Sequence, residues 1–171
     1  MREKLPFPPK EDDMMNGIQS KPSTPPSEKI LKEVFTQVMG DWAKLIPYET
    51  ELPYKTPPGG AIERKILLSG RENYHLVMRV PRDFGLILGR LFNPGAKVVN
   101  PEDAFGEVVS MYCGHLKDAL WGTDAVYAPF LPLMSEPKDW PSPIADISCF
   151  LRIGAFPVEI LLWDLTGRDR T

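Results

Sequence analysis

The sequence predicts an α+β domain, a mixed, largely antiparallel sheet with amphipathic helices on one face. Three observations lead there. Strand-length apolar segments come in two pairs, within residues 61–80 and 144–165, each joined by a short turn-forming connection, and hairpins build antiparallel sheets. Two longer segments, 27–46 and 101–122, repeat apolar residues at helical spacing. A helix with one apolar stripe must bury it against another layer, and the sheet supplies that layer.

Composition narrows the classes of function. A chain of 171 residues suits one domain with a real core, and 43% hydrophobic with 25% charged residues is ordinary for a globular protein. A net charge of −3 gives no basic footprint for nucleic acid or an anionic membrane. No apolar run approaches the roughly 20 residues that span a bilayer. Prolines and charges interrupt the start of the chain, so it lacks a secretory signal's apolar core, and a cytoplasmic location is expected.

In chain order, residues 1–26 hold Pro6, Pro8, Pro9, Pro22, Pro25 and Pro26 and read as a proline-rich arm outside a domain at 27–171. Ser27 caps a helix whose buried face runs Ile30, Leu31, Val34, Phe35, Val38, Trp42, Leu45, to about Ile46, and Pro47 ends it. Tyr48 to Tyr54 reads as a short strand that Pro53 confines to an edge. Pro57-Pro58-Gly59-Gly60 is a turn, because no lysine and helix follow the glycines at P-loop spacing. Strands Ala61–Leu68 and Tyr74–Val80 flank a connection containing Gly70 and Asn73. Pro81-Arg82-Asp83 opens a shorter helix with Phe84, Ile87, Leu88, Leu91 and Phe92, closed by Asn93-Pro94-Gly95.

The helix Pro101 to Gly122 carries the chemistry. Asn100 caps it, Pro101 suits its first turn, and Glu102 and Asp103 favour its positive end. Phe105, Val108, Val109, Tyr112, Leu116 and Ala119 form the stripe expected to be buried. Asp103, Glu107, Ser110, Gly114 and Lys117 line the opposite side. By spacing alone that ridge fits a solvated face with helix-supporting charge pairs as well as it fits a functional surface.

Beyond it, Ala125 to Leu133 reads as an apolar strand that Pro129 and Pro132 push toward an edge. Ser135 to Pro143 is a proline-rich loop whose Trp140 suits a partner anchor or a cover over the core. The closing hairpin pairs Ile144–Ile153 with Val158–Leu165. Its run Ile160-Leu161-Leu162-Trp163 fits a strand covered on both sides or sealed in an interface.

The metal and thiol candidates are few: Cys113, Cys149, His75 and His115. Cys113 and His115 stand two apart on a helix and point in different directions, so no zinc site is expected. Cys113 lies beside the apolar stripe, which argues against a cysteine–histidine nucleophile pair.

The pattern Asp103-x-x-x-Glu107-x-x-Ser110, followed by Met111, Gly114 and Pro132, resembles the signature of the bacterial chemotaxis phosphatases CheC and CheX. In that family an Asp or Ser precedes the Glu by four residues, an Asn follows it by three, and a Pro comes roughly twenty further on. The chain matches at Asp103 and Glu107, has Pro132 about one residue early, and departs at Ser110, where the family has Asn. The order of elements over roughly residues 28–165 also resembles the CheX-like layout, with Asn73 to Phe92 leading into the Glu-bearing helix and Ser148 to Trp163 closing the sheet.

The resemblance implies a protein that docks on a phosphorylated CheY-like response regulator and hydrolyses its aspartyl phosphate. The receiver holds the acyl phosphate and its Mg²⁺, so no cofactor is expected on this chain, whose task is to place a water in line. Glu107 takes the place of the family Glu, which pairs with the receiver's active-site lysine. Ser110 takes the place of the water-positioning amide. Asp103, Gly114, Lys117 and Pro132 fall on the docking side. The alternative is a non-catalytic receiver-binding or scaffold module that lost hydrolysis through Ser110. Relatives of this kind form homodimers by extending a sheet across the subunit boundary, and the Ile160–Trp163 strand is a candidate for that boundary.

Overall fold

The computed structural model describes residues 24–70, 72–122 and 144–166. Most of the proline-rich arm, the Ala125–Leu133 segment with Pro132, and the loop bearing Trp140 lie outside them.

Helix α1 (Glu28–Val38) starts at Ser27, whose hydroxyl accepts from the Ile30 N–H at 3.3 Å, and buries Leu31, Val34, Phe35 and Val38. It runs into a single π turn (Met39–Ala43), and Lys44, at φ 56°, breaks it in the left-handed region. The helical segment thus stops short of Ile46. Trp42, expected on the buried face, is 58% exposed, because the wider π turn rotates it out of the α-helical stripe. Strand β1 is only Tyr48–Glu49, much shorter than the Tyr48–Tyr54 expected. The Thr50 hydroxyl accepts from the Leu52 N–H at 3.2 Å, a local bond that draws the chain away from the sheet.

Strands β2 (Ala61–Ser69) and β3 (Asn73–Pro81) form the first hairpin, α2 (Arg82–Phe92) and α3 (Pro101–Trp121) follow, and β4 (Ile147–Ile153) and β5 (Phe156–Asp164) form the second hairpin. The order across the sheet is β1-β4-β5-β3-β2, and every pairing among the described strands is antiparallel. One face packs beneath the helices through Ile62, Leu68, Leu76, Met78, Cys149, Ile160 and Leu162. The expected architecture is therefore present. The other face carries a cross-strand row in which Arg79 pairs with Glu63 and donates to Glu159 at 2.7 Å. Burial, and then the Glu159 charge, push the nearby Tyr54 hydroxyl up to about 12.

The position of β5 corrects one expectation. It lies between β3 and β4, so the Ile160–Trp163 run is an interior strand and has no free edge for another subunit. Its continuous apolar character comes from cover on both faces, since Ile160 and Leu162 are fully buried on one and Trp163 is buried on the other.

Candidate functional site

Helix α3 is fixed from three directions before its outer face is considered. Asn100 accepts from the Glu102 N–H at 3.0 Å, and Pro101 opens the first turn. The Arg64 guanidinium of β2 donates to the Glu102 carbonyl, and Arg82 of α2 pairs with the Glu102 carboxylate. On the buried side Tyr112 meets Phe35 edge to face, ring centroids 5.9 Å apart, and its hydroxyl donates to the Leu31 carbonyl at 3.3 Å. At the far end Trp121 stacks on Tyr74 at 6.3 Å. These contacts give the helix one rotation about its axis.

That rotation sends Phe105, Val108, Val109, Tyr112 and Leu116 into the core, as expected, and leaves Asp103, Glu107, Ser110 and Gly114 exposed. Two positions differ. Lys117 is buried, at 7% exposure, and Ala119 is exposed. In the last turns the burial passes to Lys117, Leu120 and Trp121, the last of them stacked on Tyr74 of β3. Lys117 thus leaves the docking set. Pro132 lies outside the described residues.

Glu107 and Ser110 stand three residues apart on one exposed face. The Ser110 hydroxyl donates to the Gly106 carbonyl at 3.0 Å, which leaves its oxygen free to accept. A Cβ built at Gly114 meets nothing within 4 Å, so no packing among the described residues requires glycine there. Toward the N-terminal half of the ridge a groove of about 390 Å³ opens between the end of α2, the following loop and α3, with Asp103 and Glu107 on its lip. Nothing in the helical periodicity signalled that groove. The only hint was the valine pair Val98-Val99 standing in a polar connection.

Metal and thiol chemistry find little support. Among the described residues, no group of three His, Cys, Asp or Glu side chains comes together to hold a metal ion. Burial pushes the Cys113 and Cys149 thiols each up to about 12, which keeps both protonated and unreactive. No helix among the described residues is long and apolar enough to cross a membrane.

An antiparallel sheet with helices on one face, one of them presenting an acidic and hydroxyl-bearing ridge, defines the class of fold. No protein-family model and no curated protein matches the chain. Among solved structures, the chemotaxis protein CheX from Desulfovibrio desulfuricans is similar, with a TM-score of 0.51 and 16% identity over 78% of this chain and 97% of that one. The fold is CheX-like. At that identity the likeness concerns the fold, and function has to be argued from the site.

Proposed function

We propose that this chain docks through the exposed ridge of α3 on a phosphorylated CheY-like receiver domain in a chemotaxis or two-component pathway, and assists hydrolysis of its aspartyl phosphate. The observation that carries the reading is the exposure of Glu107 and Ser110 together, one turn apart, on a helix fixed at both ends and along its buried side. Glu107 serves as the docking carboxylate, pairing with a cation of the receiver. Ser110 accepts a hydrogen bond from the attacking water and so turns its lone pair toward phosphorus. The receiver supplies the Mg²⁺ and the electrophile.

Gly114 supports docking independently. Mid-helix glycine costs roughly 0.5–1 kcal/mol relative to alanine, and open space around Gly114 means no contact among the described residues recovers it. Close approach of a partner surface gives the position a use.

A second reading, receiver binding without hydrolysis, is favoured by the bond from Ser110 to Gly106. An amide can donate and accept at once, whereas this hydroxyl has its only proton engaged within the helix. We also propose a homodimer built through β2, the long strand at the sheet edge that has no strand on its other side among the described residues.

The test is to mix the purified protein with phosphorylated receivers, follow phosphate release, and measure binding in parallel. Glu107→Ala is expected to weaken binding about 10-fold or more, as loss of a close interfacial charge pair does. Absence of binding to any receiver refutes the docking reading. Binding without accelerated release selects the second one.

A further inference from the structure

We infer that the apolar patch within residues 42–52 is the docking site of residues 2–10 of the same chain. The inference is independent of the receiver reading, because the patch lies off α3. Of the seven exposed large hydrophobic residues among the described ones, four fall in this short stretch: Trp42, Ile46, Tyr48 and Leu52. Ile46 is 80% exposed and Leu52 64%. The stretch leads from the π turn after α1 into β1, at the sheet edge remote from β2. Single exposed apolar residues are ordinary on a globular surface, whereas a cluster of this kind marks an interaction site.

Local structure holds these side chains outward. The π turn swings Trp42 out of the buried stripe of α1, and Lys44 ends the turn at φ 56°, a region that costs any residue but glycine backbone energy. The Tyr48 hydroxyl donates to the Gly154 carbonyl at 2.7 Å and fixes the ring at the edge of the sheet. The bond from the Leu52 N–H to the Thr50 hydroxyl turns the chain so that Leu52 leaves the sheet. A strained turn and a fixed ring that enclose no core are placed for a contact beyond the described residues.

Charge selects the occupant. Between residues 41 and 52 the exposed Asp41, Glu49 and Glu51 stand against one lysine, Lys44. Lys32, which reaches Glu49 at 2.8 Å, is shared with Glu28. A second copy of the patch would bring like charges together, and an acidic segment is repelled. The complement is an apolar segment flanked by basic residues. Residues 2–10 have that composition, with Leu5 and Phe7 set among Arg2, Lys4 and Lys10 and a single acid, Glu3.

Reach permits the contact. Thr24 is held beside the end of α3, its N–H donating to the Leu120 carbonyl at 2.8 Å. Trp42 lies at the far end of α1 and its π turn, roughly 24 Å away at about 1.5 Å per residue. From Phe7 to Thr24 the chain can span up to roughly 55 Å, so Phe7 reaches the patch of its own domain. Such a tether also raises the effective concentration of the segment, so that a contact too weak between separate chains forms within one.

The experiment follows the Trp42 indole N–H and the backbone amides of Ile46 and Leu52 in the isotopically labelled full chain, with a soluble paramagnetic agent reporting their exposure. In the natural chain these groups should be shielded, and Leu5→Ser combined with Phe7→Ser should expose them. A synthetic peptide of residues 1–12, acetylated and amidated, should restore the shielding of that double variant saturably. The same peptide carrying Arg2→Glu, Lys4→Glu and Lys10→Glu should bind about 5-fold more weakly. Adding Ile46→Ser to the double variant should weaken the natural peptide as well. Unchanged exposure on replacing Leu5 and Phe7 overturns the inference, as does a response confined to the groove at Gly89 and Val99. Equal binding of the natural and charge-reversed peptides also overturns it. A response that grows with protein concentration assigns the contact to the arm of a second copy and overturns the same-chain docking.

Discussion

The Ser110 hydroxyl donates to the Gly106 carbonyl one turn earlier on α3, 3.0 Å away. A side chain with one proton cannot hold that bond and also donate to a water or a phosphoryl oxygen. Whatever Ser110 does for a docked partner, it does as an acceptor on a short stem.

Replacing it with an amide changes that. Ser110→Asn extends the reach by one heavy atom and supplies donor and acceptor together, at a position where the side chain is exposed and nothing need move. Misplacement of about 1 Å can cost on the order of 100-fold in rate. The variant is therefore expected to release phosphate from a cognate receiver roughly 10-fold faster than the natural protein, about 1.4 kcal/mol of barrier. No gain in a single-turnover assay, with receiver binding demonstrable, would mean the site is built around the serine or serves binding alone.

Gly114 separates stability from docking. Because open space surrounds it, Gly114→Ala should raise the unfolding free energy by about 0.5–1 kcal/mol through helix propensity alone. The added methyl should at the same time weaken the receiver complex, because the proposed docking brings the partner close to this position. Chemical denaturation and a binding titration on one sample check both. A variant both more stable and equally tight would remove the partner from this part of the ridge.

How much of this was legible in the sequence depended on whether local chemistry or tertiary context decided the outcome. Asn100, Pro101 and the apolar spacing marked α3 almost to the residue, because capping and periodicity are local. The two hairpins were visible for the same reason, and so was a sheet with helices on one face. Lys117 and Ala119 were misplaced, since in the last turns the burial passes to Lys117, Leu120 and Trp121, with Trp121 stacked on Tyr74 of β3, and apolar spacing on one helix does not record which side its end meets the sheet. Trp42 was misplaced because a π turn leaves no signature in apolar spacing. The interior place of β5 and the groove at Val98 depend on how distant elements meet, which no local pattern records.

His75 links stability to pH. It sits in β3 between Leu67 and Trp163 on neighbouring strands, 8% exposed, and burial holds its imidazole below the ordinary range. The unfolded chain takes up the proton near pH 6.5, whereas the folded chain takes it up only at lower pH. Stability is therefore unaffected by this group above about pH 6.5 and is lost as pH falls through the folded value. Denaturant titrations should show the midpoint falling between about pH 7 and 5, with a shallower fall in His75→Leu. An unchanged slope in that variant would assign the acid sensitivity elsewhere.

The proposed dimer through β2, whose outer side carries no strand among the described residues, has a register that can be tested. Antiparallel pairing of β2 with its own copy about a two-fold axis at Arg64 sets Glu63 opposite Lys65 of the second subunit, and Lys65 opposite that subunit's Glu63. Ile62 then meets Ile66 on the helical face, and Ala61 meets Leu67 on the other. Each side chain keeps its face, because opposed residues in an antiparallel pair lie on the same side of the sheet. At β1 the corresponding two-fold pairing about Thr50 would oppose Glu49 and Glu51 of the two copies, a repulsive arrangement on a strand of only two residues. The β2 edge is thus the one whose charges complement themselves. Lys65→Glu turns two attractive cross-subunit pairs into repulsive ones, at about 0.2–1 kcal/mol for each pair made or lost. The total is about 0.8–4 kcal/mol, so the dissociation constant is expected to rise by roughly 4-fold to several hundred-fold, since every 1.4 kcal/mol is a factor of ten. Light scattering over a dilution series reads that shift directly, and unfolding of the diluted variant checks that the subunit itself remains intact. A natural protein that stays monomeric at micromolar concentration removes the dimer, and a dimer indifferent to Lys65→Glu moves the boundary away from β2.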